Sequence, residues 1–239
     1  YLQAITAMSD SLPCFKAYDV RGRVPDEINE DVAHRIGRAY AEVIDPGSVV
    51  VGHDIRLTSE SIKGALIDGL RDSGVNVVDI GLCGTEEIYF ATAHLGVGGG
   101  IVVTASHNPK DYNGMKFVRE GSKPISGDSG LAEIRHLTEQ RRGRDSSSKG
   151  SYEATSTLSP YIQHLLSYVD IAKLSPLSVV CNAGNGGAGR VIDALEPALP
   201  FTFSKVHHDA NGHFPNGVPN PLLEENREST ASVVRSENA

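Results

Sequence analysis

The sequence has 239 residues, of which 22 are Lys or Arg and 30 are Asp or Glu, giving a formal net charge of −8. Its content of 39% hydrophobic and 22% charged residues is ordinary for a globular protein and argues against disorder over the whole chain. The acidic balance supplies no overall basic field, so we expect neither nucleic acid nor a membrane as a partner.

Cysteine usage and apolar run lengths bear on the compartment. Cys14, Cys83 and Cys181 are widely separated and odd in number, which predicts neither a disulfide framework nor a zinc cluster and favours a reducing, cytoplasmic location. The sequence contains no run of about 18 consecutive apolar residues, the length typical of a membrane span. Residues 1–7 precede Met8, and we interpret them as a tag or upstream sequence.

The first region, residues 8–140, alternates helical and strand-like apolar patterns and is predicted to form one domain. Helices are expected after Asn29 as a cap, after Thr58 or Ser59, from Thr85, and over residues 131–137 with Asp128 as the cap. Strands are expected at residues 49–51, 75–80, 99–104 and 115–118. Apolar strands separated by helices predict an α/β sheet that is covered on both faces.

The second region follows a polar stretch rich in Arg, Ser and Gly. Residues 141–156 are the predicted linker, and residues 157–239 form a second α/β domain that we expect to be incomplete at its C-terminus. Helices are predicted near residues 159–169, 186–195 and after 223, and strands near 177–181 and 201–206.

The most informative polar cluster follows the apolar strand that ends near Thr104. Ser106, His107 and Asn108 lie at the carboxyl end of that strand, where α/β sheets place their ligand sites, and Asn108-Pro109 and Asn113-Gly114 predict sharp turns. Ser106 is a candidate nucleophile or phosphoryl carrier, and His107 and Lys116 are nearby groups able to move protons or hold phosphate oxygens. The spacing alone favours the alternative interpretation, a turn in which these side chains only satisfy backbone groups, because adjacent Ser and His residues are common.

Four segments together resemble the α-D-phosphohexomutases, and among them the bacterial phosphomannomutases. The resemblance covers residues 15–239 and keeps the order of that family's signatures. The segments are Phe15-Lys-Ala-Tyr18-Asp-Val-Arg21-Gly22, Gly52-His-Asp54-Ile-Arg56-Leu-Thr-Ser59, Thr104-Ala-Ser-His-Asn-Pro109 with Asp111-Tyr-Asn-Gly-Met-Lys116, and Asn211-Gly-His-Phe-Pro-Asn216 with Pro219-Asn-Pro221.

The resemblance implies three-layer α/β/α domains with mixed sheets and phosphoryl transfer between the C1 and C6 hydroxyls of a hexose. By that resemblance Ser106 carries the phosphoryl group and a hexose 1,6-bisphosphate is the intermediate. Mg²⁺ would bridge the Ser106 phosphate to carboxylates outside this chain. Arg21 would stabilise phosphate charge, and Lys116 would transfer a proton or contact phosphate. His107 would serve as a proton-transfer partner or pack beside the serine, and Tyr18 and Asn108 would contribute to substrate or phosphate binding.

The implied reaction interconverts mannose 6-phosphate and mannose 1-phosphate and feeds GDP-mannose and surface polysaccharide synthesis. Glucose phosphates are the alternative substrates, because the sugar-reading loop of the family lies outside residues 1–239. The family's Asp-rich metal loop would fall shortly after residue 239, so we expect this chain to be the amino-terminal portion of such an enzyme and to be inactive alone. A non-catalytic binding fragment is the rival interpretation.

Three further motifs are given structural interpretations. Residues 184–189 are glycine-rich but lack the Gly-Lys-Ser/Thr of a P-loop, so they predict a tight strand-to-helix turn. Residues 127–130 resemble a serine-protease motif, but such enzymes are β-barrels with a His/Asp pair supplied elsewhere, and Asp128 is better interpreted as a helix cap. His207, His208 and His213 lack zinc-type spacing and are interpreted as ordinary loop histidines.

Overall fold

The computed structural model describes residues 11–239, so the interpretation of residues 1–7 lies outside the described residues. The first region contains, in chain order, β1 (Val20–Arg23), α1 (Glu30–Ile44), β2 (Ser48–His53), α2 (Ser59–Asp72), β3 (Asn76–Leu82), α3 (Thr85–His94), β4 (Gly99–Val103), β5 (Tyr112–Arg119), β6 (Lys123–Pro124), α4 (Leu131–Glu139) and β7 (Tyr152–Ala154).

The first region is built on one mixed sheet with the strand order β1-β5-β4-β2-β3-β7, and β6 pairs with β5. β2 runs parallel to β3 and β4, whereas β5 runs antiparallel to β1, β4 and β6. Parallel neighbours joined by helices, with one reversed strand inserted, make the sheet mixed. The predicted α/β class with a mixed sheet is confirmed.

Alternating strand residues divide the core into two layers. Val49, Val51 and Phe117 belong to the larger layer, which contains residues of α1, α2 and α4. Val50 and Val102 point to the opposite face and belong to a smaller layer with residues of α3. Because neighbouring residues of a strand face opposite sides, this segregation gives the three-layer α/β/α arrangement.

Local sequence determines where the helices begin. Asn29 caps α1, because its side-chain oxygen accepts a hydrogen bond from the Val32 amide at 3.0 Å. The expectation that Asp128 caps α4 is wrong. Asp128 lies in a short 3₁₀ turn, where Ser126 and Ser129 hydrogen-bond reciprocally, and Gly130 separates this turn from α4.

The segment predicted as a linker is held against the first region. The Arg38 guanidinium donates to the carbonyls of Gly143 and Arg144 at 3.3 Å each. Within the same segment β7 adds a parallel edge strand to the sheet, with Tyr152 opposite Val77. Residues 141–156 thus include an edge strand of the first sheet, and the division into domains stays a prediction.

The second region continues with α5 (Leu158–Leu166), β8 (Ser178–Asn182), α6 (Ala188–Leu195), β9 (Thr202–Val206) and α7 (Glu228–Glu237). β8 and β9 pair in parallel, and α7 packs against both strands. Between residues 11 and 239, no helix has both the length and the continuous apolar character required to cross a bilayer.

Two side chains of α3 contact the second region beside the carboxyl ends of the first sheet's parallel strands. On α3, the buried Glu87 side chain accepts a hydrogen bond from Thr157 at 2.8 Å and forms an ion pair with Arg190 on α6. Also on α3, Phe90 lies against the rings of Tyr161 and His164 on α5, with centroid separations of 5.4 and 4.9 Å. Glu87 and Tyr161 also line a cavity between the two regions.

Candidate active site

The loop that follows β4 carries Ser106 into solvent. The ladder between β4 and β5 continues through Thr104, whose amide donates to the Gly114 carbonyl at 2.9 Å. Ser106 then adopts a left-handed backbone conformation with φ = 53°, a region that non-glycine residues visit uncommonly. The Ser106 amide donates to the Thr104 hydroxyl at 3.0 Å. The Ser106 side chain is exposed at the rim of the sheet.

His107 lies directly beside the serine. Its Nδ1 is 3.3 Å from the Ser106 Oγ, and both side chains are exposed. This separation is within hydrogen-bond range but longer than a usual O–H to nitrogen bond. The imidazole is therefore placed to exchange a proton with the serine oxygen.

Asn108 is turned into the loop and away from the cleft. Its side-chain amide donates to the Ala105 carbonyl at 2.8 Å, and its backbone amide donates to the same oxygen at 3.1 Å. The side chain that was expected to contact phosphate or substrate thus helps to close the turn that presents Ser106.

Arg21 and Lys116 share the sheet face of Thr104. Val20 and Met115 are opposite one another in the register and both belong to the larger core layer, so Arg21 and Lys116 point to the other face. Arg21 forms an ion pair with Asp19 at 2.6 Å.

Arg21 and Lys116 both have nitrogen atoms without a hydrogen-bond partner among the described residues. The Arg21 Nε is buried without a hydrogen-bond partner. Lys116 is half-buried, and its ammonium group has neither a hydrogen bond nor an ion pair with any residue between 11 and 239. Tyr18, just before β1, is 77% exposed.

Two side chains of the β2–α2 connection hold the serine loop from beneath. The Arg56 side chain is 1% exposed, and its guanidinium donates four hydrogen bonds to main-chain carbonyls of the loop. The acceptors are the carbonyls of Ser106 (2.8 Å), Asn108 (2.6 Å), Pro109 (2.6 Å) and Tyr112 (2.9 Å). Burial lowers the pKa of Arg56 from its usual value, and the neighbouring Asp54 carboxylate opposes this effect.

Asp54 connects Arg56 to the serine amide. One carboxylate oxygen accepts from the Ser59 hydroxyl at 2.6 Å, and the other accepts from the Thr104 hydroxyl at 2.7 Å. The Arg56 Nε forms an ion pair with this second oxygen at 3.3 Å. Since Thr104 in turn accepts from the Ser106 amide, a continuous polar network reaches the exposed serine.

A cavity of about 310 Å³ lies between the two regions and opens beside Ser106. Residues from both regions line it, including Asp54, Thr104 and Ser106 from the first region and Gly187, Phe214 and Pro219 from the second. The glycine-rich turn of residues 184–189 leads from β8 into α6, as predicted, and two of its glycines face this cavity. The serine loop therefore faces a cleft whose opposite wall comes from the second region.

The described residues do not by themselves form a Mg²⁺ site. Between residues 11 and 239 no group of three His, Cys, Asp or Glu side chains is arranged to hold a metal ion. Asp54, the carboxylate bonded to the serine loop, is already bound to Arg56, Ser59 and Thr104. A phosphate on Ser106 would supply one oxygen ligand to such an ion.

The three loop histidines of the second region form no hydrogen bond or ion pair with Ser106 in the part of the chain that the structure describes. His208 contacts Asp193 at 2.8 Å, and Lys205 contacts the same carboxylate at 2.7 Å on the surface of the second region. His207 has a left-handed backbone between β9 and the following loop. His213 donates its amide to the Asn211 side chain at 3.0 Å.

The sequence interpretation missed the residues that hold the serine loop. Asp54 and Arg56 belong to the family-like segment of residues 52–59. Nothing in that segment indicates that the loop atoms they bind lie 50 to 56 residues later. Phe214, also in a quoted signature, lies with its ring over the Arg56 guanidinium at 5.4 Å. The useful signal was the polar pair that follows the apolar strand β2, at the same sheet edge as Ser106.

Comparison with known proteins gives concordant matches over both regions. Residues 13–144 match the family model of phosphoglucomutase/phosphomannomutase, alpha/beta/alpha domain I, and residues 159–239 match that of domain II. A protein of Escherichia coli named phosphomannomutase is 58% identical over 236 residues, which cover 95% of this chain and 52% of that protein. A Xanthomonas campestris protein named phosphohexose mutases is 56% identical and is covered to 51%, with 96% of this chain aligned.

A solved structure agrees with these matches. A phosphoglucomutase/phosphomannomutase family protein from Burkholderia thailandensis superposes with a TM-score of 0.87 at 35% sequence identity. The superposition covers 96% of this chain and 51% of that one. The chain thus spans about half the length of the curated relatives it matches.

Proposed function

This chain belongs to the phosphoglucomutase/phosphomannomutase family, and from that premise we propose that the protein interconverts mannose 6-phosphate and mannose 1-phosphate. The phosphoryl group passes through Ser106 and a hexose 1,6-bisphosphate, and the product feeds GDP-mannose synthesis. The observation that carries the proposal is Ser106 itself, an exposed hydroxyl in a left-handed turn that faces the interdomain cleft. We place the reaction in the cytoplasm, which agrees with three free cysteines.

The proposed transfer proceeds in two balanced halves. Phosphorylated Ser106 gives its phosphoryl group to the free hydroxyl of the hexose monophosphate, so the P–O bond to the serine breaks and a bond to the sugar oxygen forms. In the second half the P–O bond between the other phosphoryl group and its sugar oxygen breaks, and that group bonds to the Ser106 Oγ. In each half the proton of the attacking hydroxyl passes by way of His107, whose Nδ1 is 3.3 Å from the Ser106 Oγ, to the oxygen that leaves phosphorus.

Arg21 and Lys116 supply the positive charge that this chemistry requires. Phosphoryl transfer depends mainly on positioning and on neutralising the charge of the phosphoryl oxygens. Lys116 has no ion pair among residues 11–239, and the Arg21 guanidinium is partly exposed beside its partner Asp19, so both cations can donate hydrogen bonds to phosphate oxygens. We assign Lys116 to phosphate contact, Arg21 to charge stabilisation and the exposed Tyr18 to the substrate. Asn108 serves by shaping the loop.

Two small molecules complete the proposal. Mg²⁺ would neutralise phosphate charge when bound, with the phosphate on Ser106 as a ligand and the carboxylate ligands supplied from outside the described residues. A hexose 1,6-bisphosphate would load the serine for the first turnover. Hexose phosphates are accordingly the proposed partners.

The test is steady-state turnover of the full-length protein with mannose 1-phosphate and glucose 1-phosphate supplied separately. Ser106→Ala removes the hydroxyl that carries the phosphoryl group in the proposed transfer, so we expect turnover to fall by more than about 1,000-fold. The matched control is Ser61→Ala. Ser61 is an exposed serine of α2, and its hydroxyl donates to the Thr58 carbonyl. Wild-type turnover in the control and loss in Ser106→Ala support the assignment.

The outcomes separate the alternatives. A higher kcat/KM for mannose 1-phosphate supports the mannose assignment, and a higher value for glucose 1-phosphate makes the protein a phosphoglucomutase. Normal turnover in Ser106→Ala rejects the serine mechanism. Absence of turnover with either sugar in the full-length wild type supports the non-catalytic interpretation.

A further inference from the structure

The buried guanidinium of Arg56 is the main support of the serine loop. A charged group with 1% exposure is costly unless its donors are satisfied, and here four hydrogen bonds go to carbonyls of a single loop. Two of these carbonyls belong to Ser106 and Asn108, on either side of His107. The conformation that presents the serine and its neighbouring imidazole is thus fixed from below by one side chain.

Asp54 fixes the direction in which the Thr104 hydroxyl points. It holds the Thr104 hydroxyl at 2.7 Å, and this hydroxyl accepts from the Ser106 amide at 3.0 Å. The same carboxylate pairs with the Arg56 Nε at 3.3 Å. Because Thr104 must donate to Asp54, its lone pairs face the serine amide, which fixes the backbone at the residue with positive φ.

The second region covers this network from the cleft side. The ring of Phe214, 8% exposed, lies 5.4 Å from the Arg56 guanidinium carbon. Nearby, Gly212 approaches the Ile55 carbonyl so closely that an added Cβ would overlap it. An aromatic face over a desolvated guanidinium is favourable, and it also excludes water that would compete for the loop carbonyls.

We propose that Arg56 is a positioning residue for phosphoryl transfer at Ser106, and that Phe214 makes this positioning depend on docking of the second region. The proposal rests on the proposed function. Arg56 is buried beneath the loop and acts through the loop backbone. The seating of residues 211–216 on the β2–α2 connection therefore determines how firmly the serine is held toward the cleft.

The experiment uses the full-length protein with the variants Arg56→Lys and Phe214→Leu. Lysine keeps the charge but offers a point donor in place of a planar fork, so it cannot serve four carbonyls. Misplacement of a reacting group by about 1 Å costs about 100-fold in rate, and we expect this loss in kcat for Arg56→Lys with KM within about twofold of wild type. Phe214→Leu keeps every Arg56 hydrogen bond and is expected to lower kcat by about 10-fold.

Matched controls are Arg135→Lys, a surface arginine paired with Glu139, and Phe201→Leu, an aromatic residue of the second region in contact with Phe203. Neither control should alter kcat. A second readout is amide hydrogen exchange at Asn108 and Tyr112, whose amides bond within the loop at 3.1 and 3.0 Å. Both test variants should accelerate this exchange at temperatures where they remain folded.

The two readouts distinguish failure of this inference from failure of the proposed function. If the wild type turns over no hexose phosphate, the proposed function fails, and exchange alone decides whether Arg56 and Phe214 hold the loop. Unchanged kcat in Arg56→Lys overturns the catalytic part of the inference even if exchange is faster. If Arg56→Lys does not fold, Phe214→Leu decides: wild-type kcat and wild-type exchange in that variant overturn the inference.

Discussion

The contact between Glu87 and Arg190 provides a quantitative test of how the cleft is held together. Glu87 is buried on α3, with a side-chain exposure of 2%, and its two partners are Arg190 and Thr157 from the second region. Replacing Arg190 by Met leaves a buried carboxylate with one hydrogen bond, from Thr157. The change therefore removes the charge compensation across the interface and keeps most of the apolar stem.

The expected cost follows from the burial of the two ends. Removing one partner of a fully buried ion pair costs about 3–5 kcal/mol, because the other charge is left uncompensated. The Arg190 side chain is 24% exposed, so water can reach part of the vacated position, and we expect about 2–3 kcal/mol. At about 2–4 °C per kcal/mol for a chain of this size, Tm should fall by about 4–12 °C.

Urea and thermal unfolding measure this effect, and Arg235→Met is the control. Arg235 pairs with Glu228 on the surface, with side-chain exposures of 63% and 69%, and exposed pairs contribute about 0–1 kcal/mol. Adding Glu87→Gln to Arg190→Met should restore about 1 kcal/mol, because the uncompensated charge is then gone. A loss in Arg190→Met no larger than in the control, or a double variant no more stable than Arg190→Met alone, would refute this reasoning.

Three further predictions concern the fold that positions the loop. Asn29→Ala should lower the free energy of unfolding by about 1 kcal/mol in urea titrations, since α1 loses its cap; no change would show that the cap is unimportant. Tyr40→Phe should cost about 1–3 kcal/mol, because the buried Val118 carbonyl loses a 2.8 Å hydrogen bond, and an equally stable variant would contradict that contact. Burial by itself would raise the pKa of Asp79, but hydrogen bonds, chiefly from Lys63, lower that pKa below its usual 3.8 in the folded state. The stabilisation from this carboxylate is therefore fully present well above 3.8 and is lost as pH falls through the lower, folded-state pKa. Asp79→Asn should accordingly flatten the acid limb of the stability curve below about pH 5, and an unchanged acid limb would reject this assignment.

The helices and central strands were predictable because their patterns are strong. The β-branched and apolar runs of β2, β3 and β4 are buried on both faces, and α1 has a cap followed by regularly spaced apolar residues. β1 was missed because Val20–Arg23 carries arginines and a glycine and gives no strand-like alternation. β7 was missed because Tyr152–Ala154 is an exposed edge strand, whose pairing with β3 comes from backbone hydrogen bonds.

Some residues of the candidate site could be predicted from the sequence and others could not. Ser106 could be placed at a strand end from the sequence, because the carboxyl edge of an α/β sheet is a general location for ligands. The partners of Arg56 could not, since they are main-chain carbonyls that only the folded loop brings together. The contact of Phe214 depends on how the second region docks, which no local pattern encodes.

The central claim, that Ser106 is a phosphoryl carrier, has a direct chemical test. The full-length protein is incubated with mannose 1,6-bisphosphate, digested, and mapped by mass spectrometry, followed by a chase with mannose 6-phosphate. We expect one phosphoryl group on the peptide that contains Ser106, and its removal by the chase. A phosphoryl group on another residue, or none on the Ser106 peptide after incubation, would contradict the account.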